Sequence, residues 1–191
     1  LVVAGFGRHV LVEKADGERV ICHPRGKKNQ AVVGDLVQWL ASEDEGSIEA
    51  IEPRRNLFYR QDDVRTKSFA ANLDQVLVLV AADPEFSESQ VARALIAAEQ
   101  AGIRSLIALN KQDLIVPFDK AWIKLKPYRD FGCQVLPLGL RNQTDDLHHL
   151  REALQGRITL VLGPSGAGKS TLINRLVPQA NAATNIISKA L

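Results

Sequence analysis

The 191-residue chain has no methionine, only two cysteines, and only 5% aromatic residues. Cys22 and Cys133 lie too far apart in sequence to suggest a disulfide framework or a CxxC pair, which favours a reducing cytosol. No apolar run has transmembrane length and no signal peptide opens the chain, so the sequence predicts a soluble protein without a membrane partner. The absence of methionine indicates that either the ends of a longer chain or modified methionines are missing.

The residues that are present suffice for a packed interior. Apolar side chains make up 46% of the sequence, which allows one medium domain or two small ones. The formal net charge is only +2, so a polyanionic partner would have to be recognised by local clusters of basic residues.

The first part of the chain predicts a small all-β domain. Short apolar segments alternate with turn signals such as Asp16-Gly17 and Gly34-Asp35. The predicted strands are 1–6, 9–14, 18–22, 35–40 and 47–52. Short strands in this number indicate a closed barrel, and an OB-fold is the leading prediction. Residues 53–72 lose the alternation and are interpreted as a connector.

From residue 74 onward, apolar strands alternate with amphipathic helices, which predicts a doubly wound, mostly parallel sheet. Ser87 begins a capping box, and Thr144 is a candidate cap of a later helix. The predicted strands are 76–82, 105–109, 133–138 and 158–162, with further helices near 119–130 and 169–176. The predicted domains are therefore 1–66, barrel and connector, and 67–191, the α/β domain.

A phosphate-binding loop is the most specific motif in the sequence. Residues 163–170 match GxxxxGK[ST] and lie between an apolar strand and a helix, the context that this motif requires. Its glycines allow backbone N–H groups to point at phosphates, and the helix amino terminus adds partial positive charge. Lys169 is expected to reach the β and γ phosphates, Ser170 to bind Mg²⁺, and Thr171 to donate to the α phosphate. The predicted phosphate-binding residues are Gly163, Pro164, Ser165, Gly166, Ala167, Gly168, Lys169, Ser170 and Thr171.

A second motif, Asn110, Lys111, Gln112 and Asp113, reads Asn-Lys-x-Asp and predicts guanine recognition. The Asp113 carboxylate can accept hydrogen bonds from N1–H and the exocyclic amine of guanine, an arrangement that adenine does not offer. Lys111 would lie along the base and brace the phosphate loop, while Asn110 would tie the two loops together.

The order of these two motifs is reversed relative to most GTPases, in which the phosphate loop comes first. Ligands of an open parallel sheet bind at the carboxyl ends of its strands, so both loops can meet one nucleotide in either order. The order therefore predicts a circularly permuted GTPase domain.

Two other interpretations remain open at this point. In a P-loop ATPase or kinase, Asp83 after strand 76–82 would supply the carboxylate on the Mg²⁺ side, and Asp113 would be an ordinary loop residue. In a passive RNA-binding module, the nucleotide site would be vestigial, which the intact phosphate-loop motif argues against.

With its amino-terminal barrel and permuted motifs, the sequence closely resembles the RsgA (YjeQ/YloQ) family of ribosome small-subunit-dependent GTPases over essentially all of its length. The likeness extends to GRH at 7–9, RGKKN at 25–29, EPRRN at 52–56 and AANLDQ at 70–75. It implies a cytoplasmic enzyme that hydrolyses GTP to GDP when stimulated by the small ribosomal subunit during late maturation. It also implies contact with rRNA, Mg²⁺ at Ser170, and Zn²⁺ in a carboxyl-terminal domain, and we expect a monomer.

Two departures from the family pattern bear on the site. The third base-contacting loop usually reads Ser-Ala after a VLP strand, whereas Leu138-Gly139-Leu140 follow Pro137 here and leave backbone N–H groups as candidates for the guanine O6. The sequence is also expected to stop before the family's switch threonines, DxxG loop and zinc ligands, so no catalytic residue or zinc ligand is assigned.

Other polar residues have weaker patterns. The candidates for rRNA phosphate contacts are Arg25, Lys27, Lys28, Arg54 and Arg55. His148 and His149 are adjacent on a predicted helix and point about 100° apart, so they are not expected to share a metal ion. Cys22-His23 lacks further zinc ligands, and Cys22 is interpreted as a small apolar strand residue.

Overall fold

The computed structural model describes residues 1–25, 31–42, 45–61, 66–141 and 147–180. Lys27, Lys28 and Thr144, which carried predictions, lie outside these residues. The chain divides into two compact units, Leu1–Leu73 and Asp74–Leu191. The sequence had placed the division after residue 66.

The first unit contains the predicted barrel. Its strands are β1 (Val2–Gly5), β2 (Val10–Glu13), β3 (Arg19–Pro24), β4 (Val37–Ala41) and β5 (Gly46–Ile51), in the order β1-β2-β3-β5-β4. Just before β4 the chain lies beside β1. There the Val2 N–H donates to the Asp35 carbonyl at 2.8 Å, and the Val2 carbonyl accepts from the Gly34 N–H at 2.9 Å. The inward side chains of Val2, Val10, Val12, Cys22 and Ile48 form the buried core. The prediction of a five-stranded OB-like barrel is confirmed.

The interpretation of residues 53–72 as a connector is wrong. These residues include an antiparallel hairpin of β6 (Leu57–Gln61) and β7 (Thr66–Ala71). A register shift between Phe58 and Tyr59 interrupts the pairing, and most hairpin positions are at least partly exposed, so the period-2 pattern is weak. β7 also attaches to the barrel, since the Ala71 N–H donates to the Val33 carbonyl at 2.9 Å. This attachment explains why the first unit extends to Leu73.

The second unit is the predicted α/β domain. Its strands are β8 (Gln75–Ala81), β9 (Arg104–Asn110), β10 (Gln134–Pro137) and β11 (Thr159–Leu162), all parallel in the order β10-β9-β8-β11. Its helices are α1 (Glu88–Gln100), α2 (Ile115–Lys124), α3 (Lys126–Asp130), α4 (His148–Leu154) and α5 (Lys169–Leu176), followed by a 3₁₀ turn at Pro178–Ala180. Every residue of β8 is buried, as its continuous apolar run predicts.

The helix boundaries follow local chemistry in two places. Ser87 caps α1, and its side chain accepts a hydrogen bond from the Gln90 N–H, as predicted. The single helix expected near 119–130 is instead two, α2 and α3, which meet at Leu125. Pro127 lies at the start of α3, where a residue without an N–H is tolerated but cannot continue the preceding hydrogen-bond ladder. Among the described helices, none combines the length and apolar character needed to cross a bilayer.

Candidate nucleotide-binding site

Four loops leave the carboxyl edge of the parallel sheet in the second unit. They begin with Ala82 after β8, Lys111 after β9, Leu138 after β10 and Gly163 after β11. Because neighbouring strands are parallel, these loops lie along one edge, which is where open α/β sheets bind ligands. Both sequence motifs are on this edge despite their reversed order.

The phosphate loop requires glycine at particular points. A Cβ added to Gly163 would lie 2.1 Å from the carbonyl oxygen of Leu79, so only glycine allows β11 to turn this close to β8. Gly168 has a φ of +103° and immediately precedes α5, which begins at Lys169 as predicted. A Cβ at Gly168 would meet the Asn110 side-chain amide nitrogen at 2.5 Å. The loop is therefore shaped by its contacts with β8 and with the Asn-Lys-x-Asp motif.

Asn110 joins three loops through its side-chain amide. This residue is 4% exposed, its Nδ2 donates to the Ala167 carbonyl at 2.9 Å, and its Oδ1 accepts from the Leu140 N–H at 3.1 Å. One buried side chain thus connects the end of β9 to the phosphate loop and to the loop after β10. A buried amide with both of its ends bonded holds its partners at a defined separation.

Lys111 connects the same motif to the loop after β8. Its backbone adopts a φ of +70°, an unusual conformation for a residue with a side chain, and its Nζ donates to the Asp83 carbonyl. The following residue is also held, because the Gln112 N–H donates to the Leu138 carbonyl at 3.0 Å. Asp113, the next residue of this loop, is exposed to solvent.

Lys169 folds back over the phosphate loop. Its Nζ donates to the Gly163 carbonyl at 2.7 Å and to the Pro164 carbonyl at 2.8 Å. Partial burial lowers the pKa of this ammonium group from its usual value of 10.5, because an apolar surrounding disfavours the charged form. An anion placed in the loop would offset that desolvation and accept the same N–H donors. Ser165, Ser170 and Thr171 are half-buried in and just after the loop.

The loop after β10 is buried and contributes backbone groups to the site. Leu138, Gly139 and Leu140 are all buried, and the Leu140 N–H is occupied by Asn110. Leu140 and Asp83 thus belong to the site through backbone atoms. The sequence had named both positions because they follow parallel strands, Leu140 for a backbone contact to the base and Asp83 for its carboxylate. It did not indicate that Leu140 bonds to Asn110 or that the Asp83 carbonyl accepts from Lys111.

The arginines considered for rRNA contacts bind groups within the first unit. Arg54 makes a two-pronged ion pair with fully buried Asp35, at 2.7 and 2.8 Å, and this hydrogen-bonded carboxylate raises the pKa of the guanidinium. Arg25 pairs with Glu49 on the surface at 2.8 Å. The Arg55 guanidinium donates to the Asn72 carbonyl at 2.7 Å. Arg54 therefore has a structural role that its sequence pattern did not indicate.

Comparison with known proteins identifies the family. The family described as RsgA GTPase matches residues 51–191. A relative from Variovorax paradoxus, named small ribosomal subunit biogenesis GTPase RsgA, is 66% identical over all of this chain and 60% of its own length. A relative of the same name from Paraburkholderia xenovorans is 49% identical, again over all of this chain and 61% of its own. The chain thus spans about 60% of the length of these curated relatives.

Solved structures have the same fold. YjeQ from Thermotoga maritima superposes with a TM-score of 0.70 at 28% identity, covering 93% of this chain and 64% of that one. YloQ, described as a circularly permuted GTPase, superposes with a TM-score of 0.65 at 27% identity, covering 94% and 64%. The predicted fold class, a permuted GTPase domain after an OB-like barrel, is confirmed. The chain belongs to the RsgA GTPase family.

Proposed function

We propose that this chain binds and hydrolyses GTP and acts in the late maturation of the small ribosomal subunit. One observation carries the proposal: the buried Asn110 amide bonds both to Ala167 of the phosphate loop and to Leu140, so the two reversed motifs meet at one edge. A site for a single guanosine nucleotide needs that convergence. Family membership and the names of the curated relatives support the reaction and the partner.

The phosphate half of the proposed site runs from Gly163 to Thr171. On binding, the γ and β phosphates would replace the Gly163 and Pro164 carbonyl oxygens as hydrogen-bond acceptors of the Lys169 ammonium. The Ser170 hydroxyl, half-buried in the first turn of α5, is the hard oxygen donor expected to hold Mg²⁺. When bound, this ion would supply positive charge that stabilises the phosphate groups.

The guanine half of the proposed site centres on Asp113. Its carboxylate is exposed and follows directly after the bonded residues Asn110 to Gln112, so it can meet a base that enters from solvent. The backbone N–H groups of Leu138-Gly139-Leu140 stay candidates for the guanine O6, although the Leu140 N–H already donates to Asn110. None of the described residues is proposed as the group that activates water.

The first unit is proposed to contact rRNA of the small subunit. Arg25 and Arg55 are exposed, and they stay candidates for phosphate contacts together with Lys27 and Lys28. Arg54 is a weaker candidate because its guanidinium binds Asp35. We further propose a cytoplasmic location, since the relatives are named small ribosomal subunit biogenesis GTPases, and the monomeric state stays a prediction. The Zn²⁺ implied by the resemblance stays a prediction for sequence outside these residues.

Nucleotide selectivity tests the base site. Asp113→Asn should weaken GTP binding by about 100-fold or more and favour xanthosine triphosphate, whose base offers an acceptor where guanine has an amine. Titration with fluorescent nucleotides would measure both affinities. Asp119→Asn, the same substitution at an exposed position of α2, is the matched control and should leave GTP affinity unchanged.

Two results would contradict the proposal in different ways. Equal GTP affinity in Asp113→Asn and the parent, with ATP competing as well as GTP, would favour a P-loop ATPase or kinase that uses Asp83. Negligible GTP turnover both with and without small subunits would favour a passive binding module.

A further inference from the structure

The chain contains a cluster of metal-ligating side chains that the nucleotide site does not use. His148, His149 and Glu152 lie on α4, and one donor atom from each lies within 4.8 Å of the other two. Among the residues that the structure describes, this is the one group of three or more His, Cys, Asp or Glu that meets this criterion. We propose that these three residues form a surface site for a divalent transition-metal ion, with Zn²⁺ as the leading candidate.

The positions of the three side chains around the axis of α4 show how the two histidines can face one ion. His148 and His149 diverge by about 100° around the helix axis, but Glu152 lies about 40° from the first and about 60° from the second. The glutamate therefore occupies the arc between them. Pairs at i, i+4 and i, i+3 are neighbours on a helix surface, so each histidine reaches the same carboxylate. The proposal departs from the expectation that the two histidines do not share an ion, because it adds this third residue between them.

Two of the three distances between the donor atoms fit a small tetrahedral ion, and donor nitrogens of the two histidines lie within 4.8 Å of each other. Nδ1 of His148 lies 3.4 Å from Oε2 of Glu152, and Nδ1 of His149 lies 3.6 Å from the same oxygen. In a tetrahedral site with bonds of about 2.0–2.1 Å, neighbouring donors are separated by about 3.3–3.4 Å. These two separations are therefore within a few tenths of an ångström of the value that Zn²⁺ needs. The exposed rings can make that adjustment by rotating about their side-chain bonds.

The donor set also selects the class of ion. Two imidazole nitrogens and one carboxylate oxygen suit Zn²⁺, Cu²⁺, Ni²⁺ and Co²⁺, whereas Mg²⁺ prefers oxygen ligands alone. All three side chains are exposed, with fractions of 62%, 85% and 59%, so an ion can enter from solvent and complete its coordination with water. Nucleotide-bound Mg²⁺ and this ion would therefore not compete for ligands.

Isothermal titration of the 191-residue chain with ZnCl₂ tests the proposal. The titration is run at pH 7.5 without nucleotide, with a non-thiol reductant present to keep both cysteines reduced. We expect one Zn²⁺ per chain, with binding unaffected by millimolar Mg²⁺. His148→Ala, His149→Ala and Glu152→Gln should each weaken Zn²⁺ binding at least tenfold, since loss of even an outer-shell partner commonly costs that much.

His23→Gln is the matched control. His23 is also exposed and also pairs with a glutamate, its Nε2 lying 2.7 Å from Oε2 of Glu45, but no third ligand completes that pair among the described residues. This variant should bind Zn²⁺ within twofold of the parent chain. Because the substituted side chains of α4 are exposed, their variants should keep the parent's circular dichroism spectrum, so loss of binding would not reflect unfolding.

A spectroscopic measurement identifies the ligands directly. Cu²⁺ bound at one equivalent should show electron paramagnetic resonance couplings to two imidazole nitrogens, reduced to one in either histidine variant. No Zn²⁺ binding by the parent chain at up to a millimolar concentration would overturn the proposal and leave only surface ion pairs. Unchanged Zn²⁺ affinity in the three α4 variants would also overturn it and assign the ion elsewhere.

Discussion

At the scale of single residues, two buried polar side chains organise the two units. Asn110 joins three loops of the second unit, and Asp35 binds Arg54 and the Val32 N–H in the first. Each is almost completely buried, so each depends on partners in the chain to satisfy its polar atoms. Replacing a partner therefore costs more than the lost hydrogen bond, because the remaining group stays buried without compensation.

Arg54→Ala tests this argument in the first unit. The substitution leaves the Asp35 carboxylate buried without its counter-ion, and the free energy of unfolding should fall by roughly 3 kcal/mol. Arg60→Ala, at an exposed position of β6, is the control and should change the free energy of unfolding by less than about 0.5 kcal/mol. Urea denaturation measures both. Similar small losses in the two variants would show that the ion pair contributes little.

Cysteine reactivity gives a second prediction at this scale. Burial raises the pKa of the Cys22 thiol and of the Cys133 thiol, so each has a smaller reactive thiolate fraction at pH 8 than a free cysteine. Cys22 is fully buried in the barrel core, whereas Cys133 is half-buried. In a Cys133→Ser variant, reaction with Ellman's reagent should therefore require opening of the barrel and be much slower than that of a free thiol. Labelling of that variant as fast as a free thiol would contradict the described burial.

At the scale of elements, the close packing of β11 against β8 shapes the phosphate loop. Gly163 lies where any side chain would meet the Leu79 carbonyl oxygen, so the strand can turn into the loop only without a Cβ. The next element depends on the same contact, because α5 begins directly after the loop. Strand pairing and loop shape are thus coupled.

Gly163→Ala should destabilise the second unit by about 2–3 kcal/mol, because the added methyl group would force the backbone at residue 163 away from the Leu79 carbonyl of β8. Gly156→Ala is the matched control. Gly156 has a φ of +68° but open space around its Cβ position, so it should lose only about 1 kcal/mol from backbone strain. Denaturant unfolding of both variants measures the difference. Equal losses would mean that the loop relaxes freely from β8.

At the scale of the whole molecule, each unit has its own buried core. One is built on β1, β2, β3 and β5, and the other includes Leu77, Leu79, Leu106, Leu150 and Leu172. Separate cores are the condition under which parts of a chain unfold in separate transitions.

Calorimetry should therefore resolve two unfolding transitions, one for each unit. GDP with Mg²⁺ should raise the midpoint temperature of only the transition of residues 74–191. At a ligand concentration about 100-fold above the dissociation constant, the stabilisation is about 2.7 kcal/mol. Arg54→Ala should lower the midpoint temperature of only the other transition, which would assign that transition to the first unit. One cooperative transition that shifts as a whole with GDP would contradict this prediction.

Local patterns in the sequence determined much of this protein. The apolar run of β8, the cap at Ser87 and the phosphate-loop motif ahead of α5 each depend on residues close in sequence, so a single strand or helix start can be predicted from them. The order of the two nucleotide motifs, with the rule for parallel sheets, indicated the permuted domain. The nucleotide contacts themselves stay predictions.

Only the tertiary structure decided which partners those residues meet. The β6–β7 hairpin escaped prediction because a bulge and exposed positions obscure its alternation, and the Asp35–Arg54 pair joins groups that no local motif links. Asn110 gains its role from Ala167, 57 residues away along the chain. The physical reason is that hydrogen bonding and burial depend on distance in space, which a periodic sequence pattern constrains only within one element.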